Sequence, residues 1–366
     1  MGTIEHILQR LVAYASISRD GVSNNKIMDF AENVFKPHMV VRRFLSGGSP
    51  SLVATTVRTK KPRLLFAAHT DVVPGPERLF TVRERGGKLF GRGVLDMKFA
   101  IACYLQLANE FGKRGKEYDF GIMLTSDEEV GGQNGVEYLL KKGYGADFVF
   151  LPDGGADWRI ESGAKGLWHL DFEARGASAH AAYPWKGKSP VLSFLQFLQD
   201  LAHEFRAVNC DGKNHYHDTL TVSRISGGEA INQVPAHITA SVDIRHVPET
   251  SKTELEKRIK KIMSTYKDVS FKERAQGNAR AVDLSHPFMR EYKTIAKEYG
   301  IRVGETFSHG SSDARFFAER GIPVLTIWPR GGGHHGDNEW IYAKDIEIYY
   351  RILKEWVQKV ALRKEI

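Results

Sequence analysis

The stretch Leu64-Leu65-Phe66-Ala67-Ala68-His69-Thr70-Asp71-Val72-Val73 decides how the rest of the chain is read. An unbroken apolar run leads into a histidine and, two positions later, an aspartate. Such a run, with no polar alternation, marks a strand buried on both faces, as in the parallel sheets of α/β domains. Side chains alternate between faces of an extended backbone, so His69 and Asp71 are expected to share one. A carboxylate so placed can accept the spare imidazole N–H and fix the ring, as the partners of metal-bound histidines do. Taken alone, the tripeptide reads equally as the solvated end of an ordinary strand. The chain downstream decides between the two.

Working outward, residues 4–13 and 24–35 carry apolar positions at helical spacing, and 39–45, 51–56 and 63–68 read as strands. After the turn signals Pro74-Gly75-Pro76 and Gly86-Gly87 comes a long helix over 95–111. A strand over 120–125 ends at Ser126-Asp127-Glu128-Glu129, a helix covers 133–142, and a strand over 148–151 ends at Pro152-Asp153. Strands alternating with helices predict an α/β domain with a mostly parallel central sheet. Beyond Gly166 the style changes. Trp168, Leu170, Phe172 and Ala174 alternate with His169, Asp171 and Glu173, the signature of a half-exposed strand. Helix 190–205, strands 219–226 and 237–245, helix 251–266 and strand 269–275 complete a β-α-β-β-α-β order, that of a ferredoxin-like α+β sandwich. From Pro287 a helix and an apolar stretch over 322–328 resume the buried style. The reading is therefore one α/β domain, 1–164 and 281–366, interrupted by an inserted α+β domain, 165–280.

Composition narrows the function classes. A hydrophobic fraction of 42% and a charged fraction of 26% over 366 residues are those of a globular protein. No run approaches the roughly 20 apolar residues of a membrane span. Met1-Gly2-Thr3-Ile4-Glu5-His6 shows no basic region followed by an apolar core, so no signal peptide is expected. Net charge is +8, but the basic residues are scattered, or sit on a helix face such as Lys257-Arg258-Ile259-Lys260-Lys261, and no nucleic-acid-binding signature occurs. The two cysteines, Cys103 and Cys210, have no metal-binding spacing and fit a reducing cytoplasm. Any metal must be held by His, Asp and Glu, and 14 histidines leave ample material.

Acidic and histidine residues fall just past the apolar strands or in loops near them: His69 and Asp71, Glu128 and Glu129, Asp153, His335, with Asp96 after the glycine-rich turn. In open α/β sheets the ligand crevice lies beyond the carboxyl ends of the strands. Five candidate ligands drawn from these, two histidines and three carboxylates with no thiolate, suit zinc, cobalt or manganese. A carboxylate able to bridge through both oxygens would let two metals sit the roughly 3.5–4 Å apart found in two-metal hydrolytic sites.

Four segments, in order, are similar to motifs of the M20 family of dinuclear zinc amidohydrolases and peptidases. They are His69-Thr70-Asp71-Val72-Val73-Pro74, Gly91-Arg92-Gly93-Val94-Leu95-Asp96-Met97-Lys98, Ser126-Asp127-Glu128-Glu129-Val130-Gly131 and His335-Gly336-Asp337-Asn338-Glu339. The resemblance spans nearly the whole chain. It implies that His69, Asp96 and Asp153 bind one metal and Asp96, Glu129 and His335 the other. Asp71 would orient His69, and Glu128 would be the general base toward a metal-activated water. It further implies that the inserted domain is a lid and dimerisation domain. There His180, in Gly176-Ala177-Ser178-Ala179-His180, would polarise the substrate carbonyl, often from the partner subunit. Asn232 and Arg245 would grip a substrate carboxylate, and Ser311, in Ser308-His309-Gly310-Ser311-Ser312-Asp313, would line the substrate.

The implied reaction is hydrolysis of the amide of a small carboxylate-bearing N-acyl amino acid, as in the desuccinylase and acetylornithine deacetylase branches. Peptide hydrolysis by a dipeptidase or carboxypeptidase is the alternative, and a non-catalytic binding protein on the same fold a third. Three departures bear on the choice. Asp153 stands where deacylases of the family carry Glu and dipeptidases Asp. Phe99-Ala100 replaces a pair of glycines, and the loop over 75–90 is short.

Overall fold

The computed structural model describes residues 3–115, 117–205 and 215–363. Cys210 lies outside the described residues. The chain divides into two compact units, one of residues 1–162, 282–307 and 312–366 and the other of 163–281 and 308–311.

The first unit is built on a six-stranded mixed sheet. Strand Leu64–His69, buried at every position, lies parallel to Phe120–Thr125 on one side and to Phe148–Phe150 on the other. Val324–Leu325 adds a further parallel strand. Ser49–Thr55 and Val40–Ser46 complete the other edge through antiparallel ladders. The register sets His69 opposite Thr125, so the two apolar strands deliver their polar ends side by side.

Helix Lys98–Phe111 is buried nearly all round, with Phe99, Ala100, Ile101, Tyr104, Leu105 and Ala108 wholly inaccessible. Such a helix belongs inside a domain. Phe99, at the position where two glycines were expected, packs edge-on against Tyr349 with centroids 5.1 Å apart. Helix Ala343–Val360 buries Ile346, Tyr349, Ile352, Leu353, Trp356, Val357 and Val360, one stripe at helical spacing. Trp356 meets Phe150 at 5.4 Å, Tyr292 at 5.6 Å and Phe66 at 6.3 Å, tying the C-terminal helix to the central strands.

Three elements differ from the sequence reading. The helix expected from 95 begins at Lys98, because the amides of Leu95 and Asp96 bond to a side chain rather than to a helical carbonyl. The helix expected from 133 is Val136–Lys141. Gly131 and Gly132 have φ of 113° and 70°, and the Asn134 amide donates to Asp127 Oδ2 at 2.7 Å, which keeps this segment a turn. The apolar stretch over 322–328 forms a strand of only two residues, Val324–Leu325, after which the Thr326 carbonyl accepts from the Glu161 amide at 3.0 Å. The short 75–90 loop contains the hairpin Arg83–Arg85 and Lys88–Phe90, turned by Gly86-Gly87 at φ 60° and 72°. Both values lie in the left-handed region that a two-residue hairpin turn requires.

The second unit carries an antiparallel sheet in the order Thr219–Gly227, His237–His246, Gly166–Arg175, Val269–Gly277. With helices Val191–Glu204 and Lys252–Met263 it has the ferredoxin-like order. Trp168, Leu170, Phe172 and Ala174 face the helices and cluster with Phe194, Phe197, Leu201, Leu255 and Ile259. The alternate positions of that strand stay half-exposed.

Candidate active site

Strand Leu64–His69 ends on a buried imidazole. The chain then leaves the strand: Thr70 donates its amide to Thr125 at 2.7 Å, and Ser16 Oγ donates to the Thr70 carbonyl. The departure changes how Asp71 meets His69. It is the Asp71 carbonyl that lies 2.9 Å from His69 Nδ1, while the carboxylate oxygen stands at 3.6 Å. The carboxylate accepts from Ser18 Oγ at 2.7 Å and from the amides of Glu128 and Glu129 at 3.3 and 3.2 Å. Asp71 therefore joins the end of one strand to the acidic turn that follows the next.

That turn is a short 3-10 segment, Glu128–Val130, closed by Gly131. Its two adjacent carboxylates are used differently. Glu129 Oε2 lies 3.0 Å from His335 Nε2, whereas Glu128 has no ion pair among the described residues. Asp96 sits in the turn before helix Lys98–Phe111. Its Oδ1 is 3.1 Å from His69 Nε2 and its Oδ2 is 3.1 Å from His335 Nε2. Asp153 follows strand Phe148–Phe150, and the Trp328 indole donates to the Pro152 carbonyl at 2.6 Å beside it.

Two triplets have ligand atoms that all lie within 4.8 Å of one another: His69, Asp96 and Asp153, and Asp96, Glu129 and His335. Asp96 belongs to both. Asp153 Oδ2 is a buried acceptor with no hydrogen-bond partner among the described residues, a costly arrangement unless a cation or proton is supplied. Imidazole nitrogens and carboxylate oxygens without thiolate match borderline divalent ions, so the residues fit the metals the resemblance implies.

The electrostatics of the protein groups agree with that fit. Burial opposes charge on His69, yet Asp71 and Asp96 carry its pKa well above the usual histidine range. His335 is pushed up to about 10 by Asp96 and Glu129. Burial would raise Asp96, but His335 and His69 hold it below the usual carboxylate range. Burial raises Asp153 well above its usual value, with His69 opposing and Asp96 adding to the rise. Glu128 is likewise raised, first by loss of water and then by the Asp153 charge. So many converging carboxylates are stable only with protons or cations among them.

The remaining sequence-derived residues belong to the second unit. His180 is exposed, and its Nδ1 accepts from the Ala182 amide at 3.0 Å. Asn232 is exposed in the turn just before strand Gln233–Val234, its carbonyl accepting from the Ala181 amide at 2.9 Å. The guanidinium fork of Arg245, expected to receive a carboxylate, is engaged by Asp243 at 2.8 and 3.0 Å. Ser311 is half-buried in the 308–311 segment.

Some participants escape sequence reading. Glu339 closes one of the motifs, yet nothing in its neighbours signals that its carboxylate is buried against backbone amides. Asp313 is buried with neither oxygen hydrogen-bonded among the described residues, and its pKa is pushed up to about 7 by burial, Arg315 opposing. Lys98 is fully buried, which lowers its pKa to about 7 although Glu339 and Asp71 oppose the shift, and its Nζ donates to the Leu11 carbonyl at 3.1 Å. The position of Lys98, directly after Asp96-Met97, is the one available signal.

The chain is 28% identical over 327 residues to a succinyl-diaminopimelate desuccinylase of Coxiella burnetii, covering 81% of this chain and 84% of that protein. To the desuccinylase of Rickettsia akari it is 26% identical over 387 residues, covering 97% and 99%. Among solved structures, a tripeptidase from Staphylococcus aureus subsp. aureus mu50 superposes with a TM-score of 0.78 at 20% identity, covering 98% and 97%. This last likeness speaks for the fold alone. The sequence profile of peptidase family M20/M25/M40 matches residues 65–359, a span that holds both ligand triplets and the acidic turn. The chain belongs to peptidase family M20/M25/M40, a family of metal-dependent hydrolases.

Proposed function

We propose that the protein hydrolyses the amide bond of a small N-acyl amino acid bearing a carboxylate, in the manner of succinyl-diaminopimelate desuccinylase or acetylornithine deacetylase. The observation that carries this reading is Asp96, whose two oxygens each lie 3.1 Å from a different histidine, His69 and His335. A carboxylate so divided is the natural bridge between two cations. His69, Asp96 and Asp153 would hold one ion and Asp96, Glu129 and His335 the other, with zinc the first choice and cobalt or manganese substitutes. When bound, such ions act as Lewis acids toward a carbonyl and make water a better nucleophile near neutral pH.

The chain's own groups supply the rest. Glu128, whose carboxyl is raised by burial and by Asp153, takes a proton from the attacking water and returns it to the leaving amine. Asp71 fixes the backbone that carries Glu128 and Glu129 by accepting both amides. His180 polarises the scissile carbonyl, Asn232 and Arg245 orient a substrate carboxylate, and Ser311 lines the substrate. For Arg245 this requires that its fork exchange Asp243 for the substrate. We place the protein in the cytoplasm, as a homodimer joined through the 165–280 domain.

A peptidase reading has its own support. By the family resemblance, Asp153 is the residue that dipeptidase branches carry at this position. A panel of N-succinyl and N-acetyl amino acids and of di- and tripeptides, offered to enzyme reconstituted with zinc, cobalt or manganese, separates the two. Turnover of acyl amino acids at least tenfold above that of any peptide supports the deacylase. The reverse order assigns a peptidase, and full metal loading without turnover of any member leaves a binding protein.

A further inference from the structure

We infer that Arg92 and Glu339 are positioning residues, one buried ion pair that sets the relative placement of Asp96 and His335 and thereby the affinity for the ion they share. The inference rests on the two-ion reading above. Glu339 is 2% exposed. Its Oε1 accepts from the amides of Leu95 and Asp96 at 2.9 and 3.0 Å, and its Oε2 accepts from the Gly93 amide at 3.0 Å and from Arg92 Nη1 at 3.2 Å. Those four donors fill the acceptor capacity of a carboxylate. Segment 93–96 is neither helix nor strand. Glu339 thus replaces the secondary structure that would otherwise satisfy these amides and fix the backbone from which Asp96 projects.

Arg92 is 3% exposed and works on the other ligand. Its Nη1 donates to the Gly336 carbonyl at 2.9 Å and its Nη2 to the His335 carbonyl at 3.3 Å. His335 has φ of 62°, a left-handed conformation that a non-glycine residue keeps only when its surroundings hold it there. One guanidinium therefore bonds both the carboxylate that sets Asp96 and the strained backbone of His335. Neither side chain of the pair is a member of the ligand triplets. A buried ion pair is weak evidence for stability in itself, but it fixes geometry well. Metal sites tolerate little displacement of their ligands.

The test uses the metal-free full-length protein and Co²⁺ alone, followed by titration calorimetry and by the visible absorption of bound cobalt, with circular dichroism and melting temperature as checks of folding. Glu339→Gln places an N–H donor against backbone N–H groups. Arg92→Lys keeps the charge but loses the fork. For each variant we expect a native-like dichroism spectrum, cobalt bound about 10–100-fold more weakly, with the larger loss at the ion shared by Asp96 and His335, and an altered cobalt absorption band. Two cobalt ions bound with wild-type affinities and an unchanged band, in whichever variant folds, would overturn the inference. Failure of both variants to fold overturns it as well, since the pair would then serve the fold rather than the ligands. A wild-type protein that takes only one cobalt sinks the two-ion reading itself, and the inference with it.

Discussion

His335 Nε2 lies 3.1 Å from Asp96 Oδ2, a contact between a half-exposed loop histidine and a carboxylate that is almost inaccessible. Asp96 and then Glu129 hold the imidazole protonated, up to about 10. A metal ion must displace that proton before it can take the same nitrogen. We therefore expect metal binding to release protons, and affinity to rise with pH between about 6 and 9 by up to tenfold per unit for each proton displaced. In the metal-free protein the sign is opposite. Stability from protonated His335 is fully present below its ordinary pKa and is lost as pH rises through about 10. Calorimetry in buffers of different ionisation enthalpy measures the release, and binding with no proton exchange would refute this account.

Glu128→Gln tests the base. The substitution keeps the size of the side chain and removes its ability to take a proton. We expect turnover to fall about 10²–10⁴-fold, the usual contribution of a general base, with metal content and melting temperature kept. A loss of metal in parallel with activity would assign Glu128 to the ligands instead.

His69→Ala removes the buried imidazole next to Asp96 Oδ1. Its triplet retains Asp96 and Asp153, whereas the other triplet is intact. Metal analysis should give one ion per chain in place of two, in a protein that still folds. Loss of both ions at once would show that the two positions fill only together.

Trp356→Ala probes the core away from the site. The indole packs on Phe66, Phe148, Phe150 and Tyr292 and donates to the Phe288 carbonyl at 3.0 Å. Its truncation should destabilise the first unit by about 3–5 kcal/mol, read by urea denaturation. Turnover per folded molecule should remain near wild type.

The sheet was readable because its central strands carry no polar residue before their last, so the run that ends at His69 and the run that ends at Thr125 announce themselves. The candidate ligands were readable for the same reason, since His69 and Asp153 stand where apolar runs stop and Glu129 follows another within a few residues, whereas their division into two triplets came from the family resemblance. What lay hidden is backbone business. The expected carboxylate contact of Asp71 with His69 is the longer one, at 3.6 Å, and the Asp71 carbonyl comes closer, at 2.9 Å, because the chain turns out of the strand at Thr70. The late start of the helix at Lys98 follows from a carboxylate 243 residues further along the chain. Periodicity registers neither event, because each depends on which amides find a distant partner.

The long reach from Asp96 to Glu339 has a consequence for how the molecule is made. The chain emerges from the ribosome N-terminus first, so Asp96 appears early, followed by Glu129, Asp153 and the whole second unit. Throughout that interval the amides around Asp96 lack the carboxylate that will set them, and His335 has not been synthesised. The site is thus completed only when residues 335–339 are made, after the whole second unit. A chain cut short before Glu339 would keep Asp96 while losing what aims it, so truncation would yield a protein poor in metal rather than a slower enzyme.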